Sequence, residues 1–377
     1  MEDDDCIFFH MEHHFLHDGW EVAIFLKELM ALYSSFKEGH ISPLEELPVQ
    51  YADYAFWQRN YLSGDRLEEK LGYWVNKIKD YPQVLNLPAD HPRPPVQTFN
   101  GAVIKLEMNR KLYHSLREFS KTNKVTLFNT MYSAFAVLMS KYSRQTQFLI
   151  GTGFANRTFK ETENLMGMFV NTVLLYSDLT DNPSFYELLR TTKEAMIYDS
   201  MHYDIPFMHI VERLKAGNVQ GRNPLFQVLF AFHDSAVPLL NFAGIHGHII
   251  EKHNATAKTD INVICIPKAE QHVSVKDANL EEEDITILWE YNSDLFDRET
   301  MENMFYHYLT LLEQVITFPE KNVMNIDILT AKEREKILYD FNNNYIDYDR
   351  NKTVNELFEE QVRIRQNKTA IVHNERK

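Results

Sequence analysis

From Val103 to Thr317 the apolar residues switch repeatedly between two periods, and this switching constrains the fold more than any other feature of the chain. VIKLEM (103–108) alternates with period two, as a half-buried strand does. Leu112, Leu116 and Phe119, then Leu127, Met131, Ala134, Phe135 and Leu138, recur at helical spacing and predict two helices. QFLIG (147–151) reads as a strand ending in glycine. Ser184 and Glu187 form a capping box ahead of a helix that runs to about Met201. LFQVLFAFH (225–233) and ITILWEY (285–291) are rich in β-branched and aromatic residues and predict strands. Arg298 to about Thr317 predicts a long helix. Alternation of this kind gives an α/β fold with mixed sheets.

Upstream, Cys6 to His10 reads as a buried strand. Val22, Phe25, Leu26, Leu29, Leu32, Tyr33 and Phe36 mark a helix, and YADYAFWQRNYL (51–62) marks another. Four of the 13 prolines fall in LPADHPRPPVQT (87–98), the best internal boundary. Beyond Asp327 the polar LTAKEREKILYDFNNN reads as a linker, and the last stretch begins a further helix and strand. The expected organisation is therefore 1–95, 96–327, a linker over 328–350, and 351–377 as the opening of another domain. Both ends read as cut.

Lys and Arg number 39 against 54 Asp and Glu, a net charge of −15. Such a surface repels phosphate backbones and anionic lipid, which argues against nucleic acid or membrane as partner. No window is apolar enough for a transmembrane helix, and the acidic start is unlike a signal peptide, so the cytoplasm is expected. Cys6 and Cys265 both lie in apolar runs and read as buried thiols of a reducing compartment.

The densest chemistry is HMEHHFLHDG, where His10, His13, His14, His17 and Asp18 crowd together. Histidine exchanges protons near neutrality, and three readings compete. A metal site would use His13 and His17, one helical turn apart, but Asp18-Gly19 breaks the helix and no later cluster supplies further ligands. No metal is expected. A structural reading has the imidazoles capping backbone groups. A third reading has one imidazole serving as general base in acyl transfer, with Asp18 orienting its loop.

The neighbouring motifs favour the third. HHFLHDGW (13–20) is followed by YADYAFWQ (51–58), IGTGFANR (150–157), LMGMFVNTVLL (165–175), YDIPF (203–207) and RNPLFQVLFAF (222–232). In composition and order this series resembles the condensation domains of nonribosomal peptide synthetases, over about residues 1–330. The stretch from about Thr353 resembles the start of an adenylation domain.

The resemblance implies a two-lobed chloramphenicol acetyltransferase-like fold with a tunnel between the lobes, the first lobe here incomplete. It implies amide-bond formation between a carrier-bound acyl or peptidyl thioester and a carrier-bound aminoacyl amine, within a secondary-metabolite or antibiotic pathway. The donor pattern is closer to domains taking an L-configured or acyl donor than to epimerising relatives. On this reading His14 is catalytic beside His13. Asp18 supports the loop, and Gly19 allows a tight turn beneath it. No cofactor is bound by the chain itself. The substrates ride on phosphopantetheine arms of upstream and downstream carrier domains, with an adenylation domain in cis.

Further residues have a functional and a bland reading. Tyr51 and Trp57 either bind substrate or pack. Gly151 lets a crossing segment approach the tunnel. Asn171 and Thr172 either face the tunnel or do not, and Arg157 pairs with a carboxylate or meets a carrier arm. Met166, Met168 and Phe169 are expected in the core. Gly151-Thr-Gly153 completes no phosphate-loop pattern.

Two family motifs that belong upstream of the His-rich segment, a Leu-Thr…Gln…Leu-Trp-Phe opening and an Arg-His-x-x-Leu-Arg segment, are absent from the chain. The resemblance puts the arginine partner of the motif aspartate there, so Asp18 is expected to lack its partner. DGWE stands where DGWS is usual, a minor change at Glu21. The ATP-handling motifs and a Gly-Gly-x-Ser carrier motif are also absent. The rival functions are a non-catalytic remnant that at most binds carriers, and an acyltransferase using a soluble CoA thioester.

Overall fold

The computed structural model describes residues 6–216, 221–233, 240–247, 249, 253–267, 285–347 and 349–369. Six strands make one mixed sheet: β1 (Gly101–Met108), β2 (Gln147–Phe154), β3 (Asn171–Asp178), β4 (Val228–Phe232), β7 (Ile261–Pro267) and β8 (Ile285–Asn292). Their order is β1-β8-β7-β4-β2-β3. The central pairs β2/β4 and β4/β7 are parallel, and the flanking pairs are antiparallel. A short hairpin, β5 (Leu240–Phe242) and β6 (Ile245–Gly247), stands apart.

The QFLIG strand runs on through Gly151 to Phe154, because β3 continues to pair with it as far as Phe154↔Asn171. β3 itself comes from the FVNTVLLY run, and β7 from the INVICIP run around Cys265. Both are apolar stretches whose strand character depends on a pairing partner elsewhere in the chain.

Ahead of the sheet come α1 (Glu21–Lys37), α2 (Tyr51–Tyr61) and α3 (Gly64–Ile78). Within and after it come α4 (Arg110–Thr122), α5 (Leu127–Ser143), α6 (Phe185–Asp199), α7 (Phe207–Leu214) and α8 (Arg298–Thr317). Thr126 and Asn129 cap α5 reciprocally, and Ser184 and Glu187 do the same for α6. Every residue of α5 from Asn129 to Ser140 is buried. That is why its sequence is apolar nearly all round: it is covered on more than one side. Phe135 lies 5.0 Å from Phe230 of β4 on one side and 5.8 Å from Tyr308 of α8 on the other.

Cys6 to His10 is not a strand. Its backbone has no ladder partner among the described residues, and Ile7, Phe8 and Phe9 are exposed. A strand forms only where a neighbour completes its hydrogen bonds, so an apolar run alone does not make one. Cys6 is accordingly exposed, whereas Cys265 is buried.

The proline-rich stretch and the residues just before it are fastened to the sheet layer. Leu85 N–H donates to Gln227 Oε1 at 2.7 Å, and Arg93 is ion-paired with Asp260.

Contacts divide the chain into Met1–Ile328 and Leu329–Lys377. The second unit holds α9 (Ala331–Glu335) and α10 (Val354–Ile364), capped by Thr330 with Glu333 and by Thr353 with Glu356. Neither helix has a buried residue. The strand expected after α10 falls mostly outside the described residues.

Candidate active site

A single 3-10 turn, His14–Leu16, carries the histidine cluster into α1. His13 heads the turn, its Nδ1 accepting from Phe15 N–H at 3.3 Å. His14 Nδ1 lies 3.1 Å from the carbonyl oxygen of His17. A carbonyl only accepts, so Nδ1 carries the proton, and the neutral ring keeps its free lone pair on Nε2. The His14 side chain is exposed. His17 stacks on it with ring centroids 5.0 Å apart and places its own Nδ1 3.2 Å from the Glu12 carboxylate.

Four residues beyond His14, Asp18 is buried to 2% exposure and pairs with Arg157. Its Oδ1 accepts from the N–H groups of Trp20 at 3.1 Å and Glu21 at 3.3 Å. Its Oδ2 accepts from those of Phe169 at 3.0 Å and Val170 at 3.2 Å. Arg157 Nη2 reaches Oδ1 at 3.2 Å. The expectation that Asp18 lacks an arginine is therefore corrected. The last residue of the IGTGFANR motif supplies the guanidinium from within this chain.

Arg157 in turn satisfies its surroundings. Nη1 donates to the carbonyls of Thr162 at 2.6 Å and Leu165 at 2.7 Å, and the guanidinium sits 4.1 Å over the Phe169 ring. A buried ion pair persists when its remaining donors and acceptors are met, and here most are. Of the two readings of Arg157, the geometry is that of a carboxylate partner.

The turn 165–170 is thus held from two sides, and Glu21 adds a third hold. Buried at the start of α1, its Oε2 accepts from Gly167 N–H at 2.9 Å. Burial pushes the Glu21 carboxyl up from its ordinary value; the Gly167 bond and Arg157 oppose this, while Glu12 and Asp18 reinforce it. In the sequence Glu21 reads as a minor change, and in the structure it is part of the site. Its signal is a carboxylate three residues after Asp18, at helical spacing.

Gly167 has φ +153°, and a Cβ there would lie 2.2 Å from the Tyr51 ring. The Tyr51 hydroxyl donates to the Met168 carbonyl at 2.7 Å, and its ring meets Phe169 edge-on. Tyr51 thus braces the same turn, and burial pushes its hydroxyl pKa up, with Asp18 adding to the effect. Phe169 is core as expected, whereas Met166 and Met168 are only half-buried. Gly19 shows no steric need for glycine: a Cβ there would meet nothing within 4 Å, and its φ lies outside the left-handed region. Gly19 does lie in the turn closed by Glu21 N–H and the Asp18 carbonyl at 3.2 Å, but that turn would accept a side chain, whereas the position that demands glycine is Gly167.

The other candidates serve different contacts. Gly151 sits under Phe226, whose ring would lie 2.6 Å from an added Cβ. Asn171 donates to the carbonyls of Tyr203 at 2.8 Å and Ile205 at 2.6 Å and accepts from Phe207 N–H at 3.3 Å, so it pins the YDIPF segment. Thr172 is half-buried opposite Gly153 on β2. Trp57 stacks on Tyr61 at 4.8 Å and meets Phe159 at 4.9 Å, in the wall of a cleft also lined by Tyr54, Asn156 and Asp204. Burial pushes the Tyr54 hydroxyl there up to about 12.

Among the described residues no three His, Cys, Asp or Glu side chains converge as metal ligands. No helix among them is long and apolar enough to cross a membrane.

The condensation-domain family model matches residues 1–338. A linear gramicidin synthase from Brevibacillus parabrevis is 36% identical over 374 residues, covering 99% of this chain and 7% of that protein. Chondramide synthase of Chondromyces crocatus is 35% identical over 360 residues, covering 96% and 9%. The chain therefore spans a small part of the relatives it matches. The X-domain from teicoplanin biosynthesis superposes with a TM-score of 0.74 at 23% identity, covering 83% of this chain and 70% of the other. The first condensation domain of the calcium-dependent antibiotic synthetase gives 0.67 at 17%, covering 84% and 66%. At these identities the two structures show a shared fold. With the family model matching most of its length, this chain belongs to the condensation-domain family of nonribosomal peptide synthetases.

Proposed function

We propose that the chain forms an amide bond between a carrier-bound acyl or peptidyl thioester and a carrier-bound aminoacyl amine, with His14 as the reacting imidazole. The observation that carries this reading is the His14 Nδ1–His17 carbonyl bond of 3.1 Å, which leaves Nε2 as an exposed acceptor. Asp18 and Arg157 hold the loop that presents it.

The chemistry asks little more. A thioester carbonyl is already activated, and an α-amine has a pKa near 8 that leaves a neutral fraction at pH 7. The amine lone pair attacks the carbonyl carbon, the C–S bond breaks, and the sulfur departs as the thiol. Nitrogen loses one proton and sulfur gains one. Nε2 of His14 accepts the proton or hydrogen-bonds the cationic amine of the intermediate, and alignment of the two arms lowers the rest of the barrier. In this reading the chain holds no cofactor. Its partners are the carrier domains on either side and an adenylation domain in cis, and it works in the cytoplasm.

A transfer assay tests this. Donor and acceptor carriers are loaded, mixed with the chain, and read by intact mass. Amide on the acceptor carrier, lost by about 10²–10⁴-fold in His14→Ala, supports the reading. Carrier binding without product points to a non-catalytic remnant. Product from a soluble acyl-CoA in place of the donor carrier points to the CoA-dependent acyltransferase.

A further inference from the structure

The cleft beside Trp57 is walled chiefly by aromatic rings: Tyr54, Trp57 and Tyr61 of α2, Phe154 at the end of β2, and Phe159 beyond it. Its volume is about 170 Å³, close to the ~150 Å³ that holds one benzene ring. Tyr61 stacks on Trp57 at 4.8 Å, and Phe159 stands at 80° to Trp57 at 4.9 Å, as adjacent walls of a box do. Trp57 is 38% exposed and Phe159 44%, so neither ring is used up in the core. The turn after α6 closes the cleft with the Asp204 carboxylate. Lys70 of α3 holds its Oδ1 at 2.7 Å and donates to the Met201 carbonyl at 3.1 Å. Oδ2 has no hydrogen-bond donor among the described residues. None of the described residues lining the cleft is Lys, Arg or His, and none belongs to the histidine loop 10–19.

We propose that this cleft is a binding site for a small organic ammonium ion, with the rings of Trp57 and Phe159 as its walls and the Asp204 carboxylate as its anionic end. An aromatic face is negative at its centre and attracts a cation, most strongly one whose charge is spread over alkyl groups and costs little to desolvate. The cluster already shows this attraction, since the Arg66 guanidinium lies 4.3 Å over the Tyr61 ring. The carboxylate favours the same sign of charge, and a chain of net charge −15 draws cations toward its surface. An anion would meet Asp204 with no cation in the lining to answer it. A purely apolar ligand would leave the open oxygen of Asp204 unused. The site stands apart from the reaction proposed for His14, and its test does not depend on amide formation.

The full chain is titrated with choline at constant ionic strength, and in parallel with the neutral carbon isostere of choline, in which a tert-butyl group replaces the trimethylammonium head. The readout is the indole N–H signals of the four tryptophans by NMR, Trp57 being assigned by its loss in Trp57→Leu. We expect choline to move the Trp57 signal saturably and to leave that of the fully buried Trp289 in place. The isostere should bind about tenfold more weakly, because it has the shape without the charge. Phe159→Leu, which removes one exposed wall, should weaken choline about tenfold. Asp204→Asn should weaken choline and leave the isostere unaffected. Absence of a saturable Trp57 shift with choline would overturn the proposal. Equal binding of choline and its isostere would also overturn it, showing a cleft that selects shape alone. So would choline affinity unchanged in Phe159→Leu. If loss of the Lys70 partner keeps Asp204→Asn from folding, the isostere and Phe159→Leu carry the test.

Discussion

Arg157 and Asp18 are 139 positions apart in sequence and 3.2 Å apart in space, with both side chains only 2% exposed. The pair joins the histidine loop to the segment after β2, and through the carbonyls of Thr162 and Leu165 to the turn that follows. The loop bearing His14 is thus tied across the chain as well as by its own local hydrogen bonds. Removing either partner leaves a buried, uncompensated charge. Asp18→Ala and Arg157→Ala are each expected to cost about 3–5 kcal/mol in urea unfolding, and the double substitution less than their sum. Additive costs would show that the two side chains do not interact.

Gly167 offers a sharper steric test. An added methyl would lie 2.2 Å from the Tyr51 ring, at a backbone angle that disfavours a side chain. Gly167→Ala should destabilise the fold by about 1–3 kcal/mol through overpacking. Combining it with Tyr51→Ala should recover the steric part of that loss but not the backbone part. Gly19→Ala, with open space at the same atom, should leave the melting temperature nearly unchanged.

The pH dependence of stability follows from the direction of the Glu21 shift. Its carboxyl is pushed above its ordinary value in the folded chain, chiefly by burial. The folded state therefore holds the proton more tightly than the unfolded one. The corresponding stabilisation is complete below the unfolded pKa and is lost as pH rises through the folded value. Glu21→Gln removes the charge, so it should melt higher than the parent at pH 7–8. The gap should close toward pH 4. A constant gap across that range would refute the assignment.

The two thiols should separate cleanly in reactivity. Cys6 is exposed, whereas Cys265 is buried in β7 and burial pushes its thiol pKa upward. Iodoacetamide at pH 8 should modify one thiol in the native chain and two in urea, with peptide mass placing the native adduct on Cys6.

Much of the secondary structure is legible in the sequence because local rules govern it. The capping box at Ser184 and Glu187 places a helix start within a residue, since it needs only a side chain three positions away. Alternation locates β1, and β-branched and aromatic enrichment locates β8, for the same reason. Cys6–His10 reads as a strand in the sequence and is none in the structure, because an apolar run is local and a pairing partner is not. The motif series is also legible, being a matter of order and spacing. The identity of the arginine opposite Asp18 is not.

The sequence by itself determined the α/β class, the family and the candidate residue for the chemistry, all written in periodicity and in short motifs. Tertiary structure alone decided that Arg157 answers Asp18, that Glu21 and Tyr51 brace one turn, and that Asn171 pins a neighbouring loop. Each of these depends on two segments more than 30 residues apart meeting at hydrogen-bond distance. Burial there makes an unsatisfied polar group costly, so a side chain's role is set by which donors and acceptors the fold brings to it.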